Sequence, residues 1–246
     1  MLTTPLILGA TGAFALSAPI VSHGIFAPTS RVWGNVISRG TSEGPPRVAL
    51  TFDDGPTPGG TDRVLNILAE LKVLATFFVI GRNVQRWPDL LRRIDAEGHA
   101  VANHTFDHSR WGVFGHAGWW AHQIRRTDDA IEQVIGRRPA MFRPPVGHKT
   151  PYTLMAARRT GHALVTWNMR PYDGVASTTP QRILDRLLPR CRSGDIVLLH
   201  DGAEPNRKRD PSATVEAVRP LILGLRERGI ESVRVDELTG LKLYAG

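Results

Sequence analysis

Short apolar runs alternate along the chain with segments in which apolar residues recur at helical spacing. The runs predict strands near residues 48–52, 75–80, 99–103, 140–143, 163–167, 195–200 and 231–235. The helical spacing predicts helices near residues 61–71, 88–97, 118–135, 150–160, 179–190 and 212–228. Pro220 is expected to kink or split the last of these helices, because proline cannot donate the backbone hydrogen bond that a helix interior needs.

Regular alternation of strands and helices implies an α/β fold with a parallel sheet of about seven strands, closed or nearly closed into a barrel. Polar residues cluster at or just past the C-terminal ends of the predicted strands, namely at Asp53, Asp54, His104, Arg143 and His200. Parallel barrels build their active sites at that rim. The pattern therefore predicts a functional site there.

The first 30 residues contain no Lys, Arg, Asp or Glu, and residues 6–21 are mostly apolar. We favour a membrane anchor for residues 1–30, with a cleaved signal-like segment or a packed soluble segment as alternatives. Residues 31–46 are expected to be a linker, since 40–46 are rich in Gly, Ser and Pro. Residues 47–246 would then form the catalytic domain.

The chain has a formal net charge of +8 and a sequence pI near 10.5, which favours contact with anionic surfaces. Its arginines lie mostly in pairs on predicted helices, which is typical of solvated helix faces, so we expect no nucleic-acid partner. The single cysteine, Cys191, excludes an internal disulfide and a cysteine cage for zinc. Any metal site must use histidines and carboxylates.

Two adjacent carboxylates, Asp53 and Asp54, end the first predicted strand, and Gly55-Pro56 stops it. Neighbouring strand residues point to opposite faces, so the two acids have different roles unless the backbone turns there. One could bind a metal while the other accepts a proton. An ordinary Asp-Asp-Gly turn is the alternative.

His104 and His108 are four residues apart, which places both imidazoles on one face of a helix or helical turn. Two imidazoles so placed can hold one metal ion. The spacing alone is common, and it leaves a metal site and two ordinary histidines equally open.

Four motifs in one order carry a family resemblance: Thr51-Phe-Asp-Asp-Gly55, His104-Thr-Phe-Asp-His108, Arg143-Pro-Pro145 and Leu198-Leu-His200. Together they resemble the motif set of the polysaccharide deacetylases, the NodB-like carbohydrate esterases of family four. The resemblance spans about residues 47–238. It implies a distorted (β/α) barrel, which agrees with the alternation of strands and helices.

The resemblance implies that Asp54, His104 and His108 bind a divalent metal. Zinc is the first choice, and a site with two histidines and one carboxylate leaves cobalt, nickel and iron(II) open. The resemblance further makes Asp53 the catalytic base and Arg143 the residue that orients it.

The same resemblance makes His200 the general acid, with Asp173 as its partner. Pro145, Val146 and Leu198 are implied to contact the substrate. The backbone N–H of Val146 would serve as oxyanion donor, and Leu198 would face the acetyl methyl group.

The chain departs from the family pattern near the substrate. Val146 stands where an aromatic residue is usual, and Arg170 and Gly174 stand where an Asp and a Trp are usual. Trp167 or Tyr172 could replace the missing aromatic ring, although packing roles are at least as common for both. His148 lies near the third motif, and we expect it to be an ordinary surface histidine.

Three functions stay open. The first is a metal-dependent hydrolase that removes N-acetyl groups from the amino sugars of a glycan. We expect it in the cell envelope or associated with a membrane, and the sequence leaves open which side of the membrane it faces. A cytoplasmic location is the alternative. The second is hydrolysis of a non-sugar amide or cyclic imide on the same metal site. The third is a non-catalytic glycan-binding protein, although such a protein has no need of Asp53, Arg143 and His200 together.

Overall fold

The computed structural model describes residues 18–175, 177–205, 207 and 209–245. Its central feature is one seven-stranded parallel sheet in the order β5-β4-β3-β2-β1-β6, with β7 beside the start of β1. The strands are β1 (Arg47–Asp53), β2 (Thr76–Val79), β3 (Ala100–Asn103), β4 (Met141–Phe142), β5 (Ala163–Leu164), β6 (Ile196–His200) and β7 (Glu231–Val233).

Helices connect the strands and cover the outside of the sheet. They are α1 (Thr61–Leu71), α2 (Gly81–Arg86), α3 (Pro88–Ala96), α4 (Ala117–Ile135), α5 (Pro151–Arg159), α6 (Pro180–Leu187), α7 (Ser212–Glu227) and α8 (Val235–Thr239), with 3-10 turns at Arg110–Phe114 and Pro145–Gly147. Residues 18–26 are helical as well. Local sequence explains several helix starts; α5, for example, follows a Thr150 cap that accepts a hydrogen bond from the Thr153 amide.

The sheet is buried on both faces, and strand alternation divides its side chains between two cores. Val48, Leu50 and Phe52 face the outer core beneath α1 and α7. Ala49 and Leu198 belong to a second core on the inner face of the curled sheet. The same alternation places Asp53 and His200 on the inner face, because they are even numbers of residues from Ala49 and Leu198.

The sheet curls until its two ends approach each other. The Leu198 amide donates to the Met169 carbonyl at 2.9 Å, and an isolated bridge joins Met169 to Val197 of β6. Residue 169 continues the chain that leaves β5, so this bridge spans the gap between the outer strands. The predicted α/β class and the curled sheet of about seven parallel strands are confirmed.

Several predicted boundaries need correction. Helix α7 runs undivided through Pro220, because its buried face continues on both sides of the proline, with Val218, Leu221 and Leu225 in the core. The strands predicted at 140–143 and 163–167 shrink to the two-residue strands β4 and β5. Their remaining residues curve away into loops that carry Arg143 and Trp167.

Residues 1–17 of the segment predicted as an anchor lie outside the described residues. Among those described, no helix has the length and apolar character needed to cross a bilayer. Residues 27 and 28 contact the domain, because the Lys149 ammonium donates to the Ala27 carbonyl at 2.5 Å and the Thr166 hydroxyl to the Pro28 carbonyl at 2.9 Å. Within the stretch expected to be a linker, Val36 is buried and Ile37 bridges to Val165.

Candidate active site

The C-terminal ends of β1 and β6 meet at the base of one cavity of about 450 Å3. Asp53 and His200 are directly paired in the sheet, and both line this cavity together with Asp54 and His108. The predicted rim of polar residues is therefore one site.

Asp54, His104 and His108 form a compact buried group in which one ligand atom from each lies within 4.8 Å of the others. The Asp54 Oδ1 atom lies 3.2 Å from His108 Nε2 and 3.6 Å from His104 Nε2. Asp54 has a φ of 74°, so the backbone turns at this residue and both Asp53 and Asp54 face the same cavity. Strand alternation alone would have separated them.

The histidine pair meets by a route that differs from the predicted helical turn. Residues 104–108 form a loop, with positive φ at Thr105 (67°) and His108 (52°). The two rings nevertheless lie 4.9 Å apart between centroids. The prediction that the two imidazoles lie close together is correct, but the prediction that a helical turn brings them together is wrong.

A hydrogen bond sets the orientation of the His104 imidazole, and a carboxylate lies beside the His108 imidazole. His104 Nδ1 donates to the Arg143 carbonyl at 2.7 Å, which leaves Nε2 with its lone pair directed at Asp54. Burial and, to a smaller extent, the neighbouring His108 lower the pKa of His104 to about 3, so the ring is neutral and its Nε2 lone pair is available to a metal. His108 Nδ1 lies 3.7 Å from the Glu204 carboxylate, a placement typical of partners that orient metal-binding histidines.

The residues present fit a divalent cation. Among the described residues, the buried Asp54 Oδ1 has no hydrogen-bond partner, although two imidazole nitrogens face it. A buried carboxylate oxygen in that position is costly unless a cation or a donor satisfies it. Two imidazoles and one carboxylate also leave coordination positions for water and substrate.

Asp53 is held by a fully buried arginine. Arg143 Nη1 donates to Asp53 Oδ1 at 2.6 Å and to the Thr51 hydroxyl at 2.8 Å, and Nη2 donates to the Thr166 carbonyl at 3.0 Å. Its guanidinium also lies 3.8 Å from the centroid of the Phe78 ring. Burial raises the pKa of Asp53 above its usual value, and the Arg143 charge opposes that rise.

His200 and Asp173 form a second pair across the cavity. His200 Nδ1 donates to Asp173 Oδ1 at 2.9 Å, while Asp173 Oδ2 accepts from the His200 amide and from the Thr214 hydroxyl. Burial alone would lower the pKa of His200, but the Asp173 carboxylate outweighs it and raises the pKa. His200 Nε2 is the nitrogen left for the cavity.

Comparison with known proteins identifies the family. A family model described as polysaccharide deacetylase matches residues 40–165. A peptidoglycan-N-acetylglucosamine deacetylase of Bacillus cereus is 34% identical over 207 residues, which cover 79% of this chain and 89% of that protein. The chain belongs to the polysaccharide deacetylase family. A chitooligosaccharide deacetylase of Sinorhizobium fredii is 38% identical over 192 residues, covering 76% and 88% of the two chains.

The fold of this polysaccharide deacetylase matches that of a relative whose structure has been solved. The crystal structure of a peptidoglycan N-acetylglucosamine deacetylase in complex with 4-naphthalen-1-yl-N-oxidanyl-benzamide aligns with a TM-score of 0.79 at 26% identity. The alignment covers 85% of this chain and 95% of that one. The family resemblance carried by the four motifs is confirmed.

The residues expected to contact the substrate differ in whether they line the cavity. Val146 and Leu198 line the cavity, whereas Pro145 is buried in the adjoining turn. Val146 has a φ of 58°, which is rare for a branched residue and marks a constrained turn. Trp167 and Tyr172, the two candidates for the missing aromatic ring, both line the cavity.

One departure from the family pattern, Gly174, leaves a side-chain position unfilled beside the cavity. At Gly174, a side-chain Cβ would have its nearest neighbours at 3.7 Å in Arg209 and 3.9 Å in His200. A larger residue here would stand beside His200, so glycine widens the cavity at that point. His148 is absent from the residues that line the cavity, and its ring packs edge-on against Phe26 at 4.9 Å.

Sequence reasoning missed Glu204 and Arg209, which the loop after β6 brings into the site. Arg209 Nη1 lies 3.5 Å from Asp54 Oδ2, and its Nη2 lies 3.8 Å from Asp173 Oδ2. Glu204 pairs with Arg110 beside His108. No motif or spacing marks either residue, because both belong to an irregular loop of polar residues.

Asp201, which was also missed, supports the loop beneath the site. It directly follows His200, is fully buried, and accepts a hydrogen bond from the Thr61 hydroxyl at the start of α1. Burial raises the pKa of Asp201 to about 7. A Cβ at Gly55 would lie 2.3 Å from this carboxylate, so glycine is required after the Asp53-Asp54 pair.

Proposed function

We propose that this chain is a metal-dependent hydrolase that removes N-acetyl groups from the amino sugars of a glycan. The observation that carries the proposal is the convergence, in one cavity, of the Asp54, His104 and His108 group, the Asp53–Arg143 pair and the His200–Asp173 pair. A protein that only binds glycan would need neither the Asp53–Arg143 pair nor the His200–Asp173 pair.

The proposed mechanism assigns a separate task to each group. Asp53, held by Arg143, takes the proton of the attacking water. The Val146 N–H stabilises the charge that develops on the acetyl oxygen, and Leu198 contacts the acetyl methyl group. Asp54, His104 and His108 would hold a divalent ion, with zinc as the proposed metal, and that ion would supply Lewis-acid chemistry at this site.

His200 is the proposed general acid. Its Nε2 protonates the amine as the C–N bond breaks, while Nδ1 stays hydrogen-bonded to Asp173. The Asp173 carboxylate raises the pKa of His200, which favours the protonated ring that a general acid needs.

The proposed substrates are N-acetylated glycans of the peptidoglycan or chitooligosaccharide type, because the relatives act on these. A peptidoglycan substrate supports a location at the cell envelope, and membrane association through residues 1–30 is part of that proposal. The net charge of +8 supports an anionic wall polymer.

Metal removal is the first test. Stripping the purified protein with a chelator should abolish acetate release from N-acetylglucosamine oligomers and peptidoglycan fragments, and zinc should restore it, because the polarising cation is lost and then returned. Acetate is measured by a coupled enzymatic assay. Release that is unaffected by chelation would contradict the proposal.

Hydrolysis of a non-sugar amide is the second candidate function. The observation that favours it is the space beside His200 at Gly174, together with Val146 in place of an aromatic ring. A panel of simple amides and cyclic imides in the same assay separates the two functions. Turnover of these compounds with none of the sugar oligomers would select the second function, and binding of glycan without turnover would select a non-catalytic role.

The pH profile tests the His200–Asp173 pair. Activity requires protonated His200, so kcat/KM should fall as pH rises through its raised pKa. Asp173→Asn removes the charge that raises this pKa, so the alkaline fall should move to lower pH. Asp210→Asn is the matched control, because Asp210 lines the same cavity without a hydrogen bond to His200. An alkaline limb unchanged by Asp173→Asn would exclude His200 as the acid.

A further inference from the structure

A second cleft of about 480 Å3 adjoins the catalytic cavity. The two share a wall made of His108, Arg110, Glu204 and Arg207. On its far side the cleft is lined by Asp107, Ser109, Trp111, Trp119, Gln123 and Pro205. None of these six residues belongs to the proposed catalytic machinery.

An exposed aromatic platform forms one side of this cleft. Trp111 is 77% exposed and Phe114 is 79% exposed, and both belong to the 3-10 turn Arg110–Phe114. Their rings stack at 6.1 Å between centroids with 27° between planes, so Phe114 supports the Trp111 indole from one side. Large aromatic rings left this exposed beside a cleft mark a binding surface.

The lining of the cleft has the chemistry of a sugar site. An indole supplies a flat apolar face, which suits the C–H face of a pyranose ring. Ser109, Asp107 and Arg207 supply polar atoms for hydroxyl groups around that face. Asp107 and Glu204 are paired with Arg82 and Arg110, so these ion pairs leave the cleft without the excess positive charge that attracts an anionic lipid surface.

We propose that this second cleft is an additional sugar-binding subsite, in which Trp111 stacks on a pyranose ring of the same glycan chain whose acetamido group occupies the catalytic cavity. The inference rests on the proposed function and adds the prediction that the protein prefers longer chains. A polymer bound in the catalytic cavity extends beyond it, and the second cleft adjoins that cavity at Arg110 and Glu204, which line both. Phe114 acts as a positioning residue for the indole.

Chain-length dependence tests the subsite. Acetate release by the zinc-loaded protein is measured as kcat/KM on N-acetylglucosamine oligomers from the disaccharide to the hexasaccharide. Trp111→Ala should lose roughly tenfold on the hexasaccharide, because one aromatic contact is removed, and less than about twofold on the disaccharide, which does not reach the cleft. Tyr152→Ala is the matched control, since Tyr152 is 53% exposed and lines neither cavity.

A binding measurement separates the subsite from the proposed function. In an Asp53→Asn background, calorimetry should show roughly tenfold weaker binding of the hexasaccharide when Trp111→Ala is added. Weaker binding together with a parent protein that releases no acetate would support the subsite and reject the deacetylase. Equal losses on all chain lengths, or unchanged hexasaccharide binding, would overturn the subsite.

A lipid-binding measurement tests whether the Trp111 surface binds a membrane instead of a sugar. Wild type and Trp111→Ala are sedimented with vesicles of phosphatidylglycerol and phosphatidylethanolamine. The subsite predicts equal sedimentation of the two proteins. Vesicle binding that depends on Trp111, with hexasaccharide binding unchanged, would show that the platform is a membrane contact and reject the proposal.

Discussion

Asp53→Asn should lower kcat for acetate release by about 10²- to 10⁴-fold, the range that a positioned general base contributes. The amide keeps the size of the side chain and can still accept a hydrogen bond from Arg143, whose Nη1 lies 2.6 Å from Asp53 Oδ1. It cannot take a proton from water. The loss is therefore chemical, and initial rates at saturating oligomer concentration measure it.

Two further measurements, of bound metal and of a variant at an exposed carboxylate, show whether the loss of rate is specific to Asp53. Bound zinc should stay at the wild-type level in Asp53→Asn, because Asp54, His104 and His108 are unchanged. Asp129→Asn, which alters a half-exposed carboxylate in a surface ion pair, should keep wild-type kcat. If Asp53→Asn retains more than about a tenth of the wild-type rate, another group must act as the base.

Arg143→Met should lower the free energy of unfolding by about 3–5 kcal/mol, because it leaves the buried Asp53 carboxylate without its cation. Methionine retains apolar contact with Phe78, over which the guanidinium lies in the wild type. The loss is thus mainly electrostatic. Urea unfolding of the metal-free protein, followed by circular dichroism, gives the value without a contribution from bound ion.

A double variant separates charge from packing. Arg143→Met combined with Asp53→Asn should recover part of the lost stability, because the buried carboxylate is then neutral. The Thr51 hydroxyl and the Thr166 carbonyl still lose their donor, so recovery should be incomplete. If the double variant is no more stable than Arg143→Met alone, the Asp53–Arg143 charge pair is not what stabilises this end of the sheet.

Much of the site follows from sequence because strand geometry is regular. Asp53 and His200 each end a short apolar run, and the period of two along a strand fixes which neighbours share their face. The ends of parallel strands then place both residues on one rim. The prediction that His104 and His108 lie close together was also correct, because residues four positions apart stay close in a tight loop as well as in a helix.

Backbone detail decided two points, one that the sequence pattern left open at Asp54 and one that it misjudged at Pro220. Asp54 reaches the same cavity as Asp53 only because its backbone adopts a φ of 74°, which aspartate tolerates better than most residues. Pro220 lies within a continuous helix because the buried contacts of α7 outweigh one missing hydrogen bond. In both cases tertiary contacts override a local rule.

The sequence by itself determined the α/β fold, the strand ends that carry the site, and the carboxylate and histidines of the candidate metal group. The family resemblance implied the Asp53–Arg143 and His200–Asp173 pairs, but only the tertiary structure decided how side chains from distant strands meet across the interior. Arg143 follows β4, which is three strands away from β1, a separation of roughly 14 Å in a flat sheet. The curl of the sheet and the length of the arginine side chain together bring Arg143 Nη1 within 2.6 Å of Asp53 Oδ1, and the loop after β6 adds Glu204 and Arg209. Curvature and loop path arise from packing between residues far apart in the chain, so no local pattern encodes them.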